Sequence, residues 1–315
     1  MMSGGTSANN WSASGTEIDR ATKFCPGSPV DGRRVRTSHE IIEGRMMTSL
    51  QGKTPLDHRG QPRHRPGDAL RAARDGANIA VVAKTDQPHP SCRGRSIPPW
   101  RRSRLPADAD WLGITDIRSE EQVQGGHRSD GRPSSAASIY SRQQRASAIQ
   151  LTGTTATEMK RFDLMHSVNV RGTFLCSKLC IPHLRKAANP HILNLSPPLN
   201  MEAKWFQHHV AYTMSKFGMS MCVLGMSMEL RPQGIAVNAL WPRTAIATAA
   251  VQNLLGGEAI VARCRKPEIM ADAAHLVLTK ESRSCSGNFF IDDAVLAAAG
   301  VTDLDRYAVT SGARN

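Results

Sequence analysis

A chain of 315 residues is long enough to bury a substantial core and suits one large α/β domain or two small ones. It has no apolar run approaching a membrane span and no basic-then-apolar start. Its seven cysteines are odd in number and scattered, so the composition argues against a membrane-spanning or disulfide-stapled protein and for a soluble one in a reducing cytoplasm. The net charge of +13 raises nucleic-acid binding, but its distribution argues against it. Arg59–Arg65, Arg93–Arg104 and Arg128–Arg145 together hold twelve Arg and one acid, Asp130, with few aromatics and no helical period, whereas residues 146–315 hold 17 basic and 12 acidic residues.

In chain order, residues 1–45 are polar and show no sustained period, and they read as a disordered extension, or as translated sequence upstream of the true start, ahead of a domain spanning 46–308, with 309–315 as a tail. Pro55–Gly67 carries three prolines and hardly any apolar residue, a composition that argues against a buried strand there. Ala69–Asn78 then reads as the second half of a helix and Ile79–Ala83 as a buried strand. From Ala146 onward the pattern is continuous. Phe162–Pro182 reads as one long helix with Leu164, Met165, Val168, Gly172 and Leu175 along one side, and Asn169 is placed toward the core. Cys176 and Cys180 lie one turn apart with no second ligand pair at matching spacing, so they read as packed thiols and no metal site is expected. His191–Leu195 reads as a short buried strand closed by Ser196, Gly234–Leu240 as another, and Pro267–Leu278 as a helix with a proline start.

Between them, Tyr212 and Lys216 are four apart, one turn apart on one helix face. A phenol is a poor acid or base near neutrality, and a nearby ammonium favours the phenolate and brings it toward a usable range. An ordinary helix with a buried Tyr and an exposed Lys carries the same spacing, so the neighbours must decide.

Those neighbours carry a resemblance. His191-Ile-Leu-Asn-Leu-Ser196, Tyr212-x-x-x-Lys216 and Val237-Asn-Ala-Leu-Trp-Pro242 resemble the second half of a short-chain dehydrogenase/reductase, and Phe162–Gly172 resembles the helix carrying that family's catalytic Asn, here Asn169. Ser196–Asn200 and Ala239–Ile246 are similar to its hydroxysteroid-dehydrogenase-like branch, and Met46–Thr54 to the opening of such a domain. The resemblance implies a Rossmann-like fold, a doubly wound α/β domain on a parallel sheet. It implies interconversion of a carbonyl and an alcohol on a small, lipid-like substrate, and a homo-oligomer. Tyr212 and Lys216 would act at the substrate oxygen and the nicotinamide ribose, Ser196 at the carbonyl, and Asn169 in a proton relay. Lys84, at the end of the second strand, would pair with the 2′-phosphate of NADP(H), with NAD(H) left open, and Asp116 would contact the adenine. Ser196 lies two residues after Asn194 and sixteen before Tyr212, whereas the commoner pattern has three and thirteen, and Pro197 takes the usual slot. Pro242-Arg243 replaces the family's Pro-Gly, and the threonine at the nicotinamide amide is either Thr244 or Thr248. Trp205 and Phe206 line an apolar pocket or simply pack; the residues leave both open.

The first half departs from the family. Where a strand and a glycine-rich turn should cradle the pyrophosphate, Pro55–Gly67 stands, so the first strand and the turn are expected to be disrupted. A shifted reading frame accounts for this. Asp57–Ala69 written in permitted codons and read one base later yields I-T-G-A-S-R-G-I-G-L-A-M, the family's strand-turn-helix fingerprint. Similar shifts turn Cys92–Gly113 into an amphipathic helix, Ser135–Ser141 into F-G-G-I-D-I-L, and Arg142–Arg145 into V-N-N-A. Shifted GC-rich codons also produce Arg and Pro, which explains the charge. Either the sequence as printed carries compensating insertions and deletions and the natural protein is an active enzyme, or the gene itself is damaged and its product is catalytically inactive, at most a partner-binding protein.

Overall fold

The structure, a computed structural model, describes residues 55–59, 79–83, 110–114, 116–126, 138–141, 151–248, 251–252 and 257–310. Among these, the strands are β1 (Pro55–Arg59), β2 (Ile79–Ala83), β3 (Asp110–Ile114), β4 (Ser138–Ser141), β5 (His191–Asn194), β6 (Ala236–Trp241) and β7 (Phe289–Ile291). They form one sheet in the order β3-β2-β1-β4-β5-β6-β7, every neighbouring pair parallel. The order reverses at β1, which pairs with β2 on one side and β4 on the other. This is the doubly wound α/β architecture expected, with its switch point beside β1.

The expected disruption of the first strand needs correction. Pro55–Arg59 is β1, in register with Ala80–Ala83 and with Ser138–Tyr140. Its proline is the strand's first residue, where a missing N–H is tolerated, and Pro62 and Pro66 fall beyond its end. Strand formation depends heavily on context, and here parallel neighbours on both sides supply the ladder that the composition does not advertise. The tract 60–67, where the turn belongs, lies outside the described residues, as do Lys84 and the 1–45 extension.

The second half shows why the sheet needs both faces covered. Adjacent residues of β5 point to opposite sides. Ile192 joins Val237, Cys180, Leu184, Val223 and Met226 on one face, while Leu193 joins Leu240, Ile269, Ala273, Val277 and Leu296 on the other. The first face is covered by α3 (Gly172–Leu184) and α4 (Val210–Glu229), and the second by α6 (Glu268–Leu278) and α7 (Asp292–Ala298). Two shorter helices, α1 (Glu120–Gly126) and α5 (Gly257–Ala262), complete the described set with α2 (Met159–His166). Polar Asn238 is tolerated in buried β6 because its amide donates to Cys285 O (2.8 Å) and accepts from Asn288 N (3.0 Å), pinning β6 to β7.

The long helix expected over Phe162–Pro182 is interrupted. Between α2 and α3, Ser167–Arg171 forms one π turn. Such turns widen a helix locally and shift which side chains face inward, and here Asn169 is turned into the core, 4% exposed.

Candidate active site

In a parallel sheet all carboxyl ends lie at one edge, and the first turns of α4 meet the ends of β5 and β6 there. Lys216 is buried on α4, and its Nζ donates to Leu195 O (3.3 Å), directly after β5, with Met219 Sδ at 3.7 Å. The ammonium also lies 5.6 Å from the centre of the Trp241 ring, at the end of β6. Tyr212, one turn earlier, is partly exposed. Its surroundings push the phenol up to about 12, and burial pulls the Lys216 ammonium down to about 8. The expected lowering of the Tyr212 pKa by Lys216 does not appear. Burial moves both groups toward their neutral forms, and the Nζ is directed at the end of β5.

Asn169 belongs to the same assembly. Its Nδ2 donates to Ser215 Oγ (3.0 Å), which donates to Tyr212 O (2.8 Å). Ser215 thus ties the π turn to the tyrosine's own backbone. The fit is close, since a Cβ on Gly218 would stand 2.5 Å from Val170 Cγ2 in that turn.

Ser196 is placed at the end of β5 but fully buried, and its Oγ has no hydrogen-bond partner among the described residues. Both amide atoms of buried Asn194 are likewise unpartnered. Asp116 follows β3, where its carboxylate takes the Arg118 fork (Nε 2.9 Å, Nη2 2.6 Å) and the Arg118 N–H (3.1 Å). The two candidate threonines separate. Thr248 Oγ1 faces Val251 N (3.4 Å), while Thr244 Oγ1 is buried without a partner. Phe206 packs edge-on against Phe217 of α4, centroids 5.0 Å apart.

Two residues escaped the sequence reading. Ser215 had only its place before Lys216 as a signal. His209 precedes α4 and is buried, with Nδ1 2.8 Å from Thr213 Oγ1. That hydroxyl's hydrogen goes to Trp205 O (2.9 Å), so Nδ1 is the donor and Nε2 carries the lone pair. Burial lowers the His209 pKa, favouring this neutral ring, which stands edge-on to Tyr212 with centroids 6.1 Å apart.

The nicotinamide half of a dinucleotide fits these groups. An ammonium has three N–H donors, and Lys216 meets only a 3.3 Å carbonyl and a sulfur. The buried Thr244 hydroxyl is a further unused group. Among the described residues there is no His/Cys/Asp/Glu cluster suited to a metal ion.

A family model described as enoyl-(acyl carrier protein) reductase matches residues 144–294. Hydroxysteroid dehydrogenase-like protein 2 of Danio rerio is 49% identical over 244 residues, 78% of this chain and 58% of that protein, so the chain spans little more than half the length of such relatives. A solved short-chain dehydrogenase of Mycobacterium thermoresistibile is 43% identical with a TM-score of 0.72, covering 84% of this chain and 93% of the other. L-sorbose reductase of Gluconobacter frateurii, solved with NADPH and L-sorbose, shares the fold at 16% identity and TM-score 0.60, covering 77% of this chain and 95% of the other.

Proposed function

The chain belongs to the short-chain dehydrogenase/reductase family, and on that premise we propose that it is an NADP(H)-dependent oxidoreductase interconverting a carbonyl and an alcohol on a small, lipid-like substrate. The observation that carries this reading is the placement of Tyr212 and Lys216 on successive turns of α4, with Lys216 against the carboxyl ends of β5 and β6. The dinucleotide, when bound, supplies or accepts the hydride at carbon. Tyr212, held protonated by its surroundings, gives its proton to the substrate oxygen in the reductive direction. Lys216 holds the nicotinamide ribose with its unused donor and returns a proton toward Tyr212. Asn169 fixes the relay through Ser215, and Thr244 faces the nicotinamide amide. Ser196 polarises the carbonyl on this reading, although its burial requires the β5 end to open toward the substrate. Lys84 and Asp116 take the 2′-phosphate and the adenine.

Further features accompany the proposal. None of the five described cysteines forms a disulfide, in keeping with a reducing cytoplasm, and no helix among the described residues is long and apolar enough to cross a membrane. The outer side of α4 exposes Met214, Met221, Leu224 and Met228, an uncharged stripe suited to a second copy of the chain.

One feature favours a second reading, an inactive product. The tract that follows β1 in the sequence, Gly60–Gly67, holds Pro62, Arg63, Arg65 and Pro66 between its two glycines, side chains that a pyrophosphate turn does not accommodate. Fluorescence titration with NADPH separates the readings. Saturable binding by the parent and by Y212F, with turnover lost only in Y212F, supports the enzyme; absence of binding by the parent supports the inactive product.

A further inference from the structure

Beyond the tyrosine helix, one fully buried carboxylate ties the loop after β6 to the far edge of the sheet. Asp292 opens α7, and its Oδ1 accepts from both Arg243 N (3.0 Å) and Asp293 N (2.8 Å). Asp293 holds the Arg243 side chain through Nε (2.5 Å) and has Arg265 Nη1 at 3.7 Å. The backbone of Arg265 binds the other end of the loop, taking Ala247 N–H (2.8 Å) and donating to Ala245 O (3.1 Å). Residues 243–247 are therefore anchored at both ends by one cluster. Just before the first anchor is Trp241, whose ring lies 5.6 Å from Lys216 Nζ. Between the anchors is Thr244, with its buried, unpartnered hydroxyl.

We propose that Asp292 is a positioning residue: by holding the Arg243 N–H it sets where Trp241 and Thr244 stand beside Lys216, and so how well the nicotinamide end of the dinucleotide is received. The link to the dinucleotide rests on the function proposed above; the link to Trp241 does not. A carboxylate suits the task because one oxygen accepts two backbone N–H groups, and hydrogen bonds to a charged acceptor are the stronger kind. Its other oxygen, Oδ2, is buried without a hydrogen-bond partner, so half of the carboxylate is desolvated with no donor to replace water. Burial accordingly pushes Asp292 up to about 6, with Asp293 adding to the rise and the two N–H groups and Arg265 opposing it. Arg243 faces the cluster from the loop, and α6, packed along α7, carries Glu268, Asp272 and His275, of which Asp272 accepts from the Tyr307 hydroxyl (2.6 Å). With the folded pKa raised above the ordinary carboxylate value, the charged anchor holds above about pH 6 and takes up a proton below it.

The test uses the full chain and two readouts. Tryptophan fluorescence followed from pH 5 to 8 is expected to show a step near pH 6 that is absent in W241F and in D292N. In D293N, which keeps the Asp292 bonds, the step moves to lower pH, because a charge that raises the pKa is gone; this variant serves if D292N does not fold. NADPH titration at pH 7.5 is expected to show about tenfold weaker binding in D292N, the effect of losing one charge-assisted hydrogen bond. A step that persists in D292N or does not move in D293N overturns the proposal, as does NADPH affinity in D292N within twofold of a parent that binds. A parent that shows the step but binds no NADPH overturns the proposed function and leaves the Trp241 anchor standing.

Discussion

Replacing Lys216 by methionine should make the protein more stable and catalytically dead. Lys216 is 7% exposed, and burial takes its pKa from 10.5 to about 8. At 1.36 kcal/mol per unit, holding the charged form inside the fold costs on the order of 3 kcal/mol at neutral pH. Methionine has a similar length and no charge. Its introduction strips Leu195 O of a 3.3 Å donor, a loss of about 1 kcal/mol, which leaves a net gain on the order of 2 kcal/mol at pH 7. The sign with pH follows from linkage. Between about pH 8 and 10.5 the unfolded chain keeps the lysine proton that the folded chain has released, so parent stability rises with pH. K216M lacks this rise, and the gap between the two proteins closes as the pH increases. Urea unfolding at pH 7 and pH 9.5 reads both effects, and turnover reads the catalytic loss. A K216M protein less stable than the parent at pH 7, with a gap that does not change by pH 9.5, would refute the reasoning.

Other perturbations have definite expectations. G218A puts a methyl group 2.5 Å from stiff Val170 Cγ2 and should cost about 1–3 kcal/mol in urea unfolding; adding V170A should recover part of it, and an unchanged midpoint for G218A would rule out the close packing. N169A leaves the Ser215 hydroxyl without its buried donor and should cost about 1–3 kcal/mol as well as lowering turnover, whereas an effect on stability alone would remove Asn169 from the relay. M221E with M228E places charges on the outer side of α4 and should shift the protein to a smaller species by light scattering. An unchanged mass at full folding would clear that stripe of any role in assembly.

The Tyr212–Lys216 spacing could be read before any fold was known because an α-helix turns i and i+4 to one face whatever surrounds it. The buried strands β5 and β6 were legible for a related reason: a parallel strand covered on both faces is dominated by apolar residues, as in Ile192, Leu193 and Leu195 and in the run Ile235–Val237 with Ala239 and Leu240. β1 was not legible. Pro55-Leu-Asp-His-Arg59 carries neither alternation nor an apolar run, and its place in the sheet comes from backbone pairing with β2 and β4, which side-chain pattern does not record. The π turn at Ser167–Arg171 was hidden for the opposite reason, since its residues continue a helical pattern smoothly and only the hydrogen-bond ladder changes step.

The site residues divide along the same line. A residue whose role depends on its own helix is visible from spacing, as Lys216 is. A residue whose role depends on contact between distant segments is not. His209 looks like half of a polar pair with His208 until Thr213 and Trp205 fold around it and fix its proton on Nδ1. Asp292 stands 49 residues from the N–H it receives, and nothing in either segment announces the other. Ser196 is the reverse case, prominent in the motif yet fully enclosed, and the next residue, Pro197, is held to α4 by its carbonyl, which accepts from Ser220 Oγ at 2.6 Å. The motif names the residue types the chemistry needs; where each of them stands is decided by long-range contacts such as those of His209 with Thr213 and of Asp292 with Arg243.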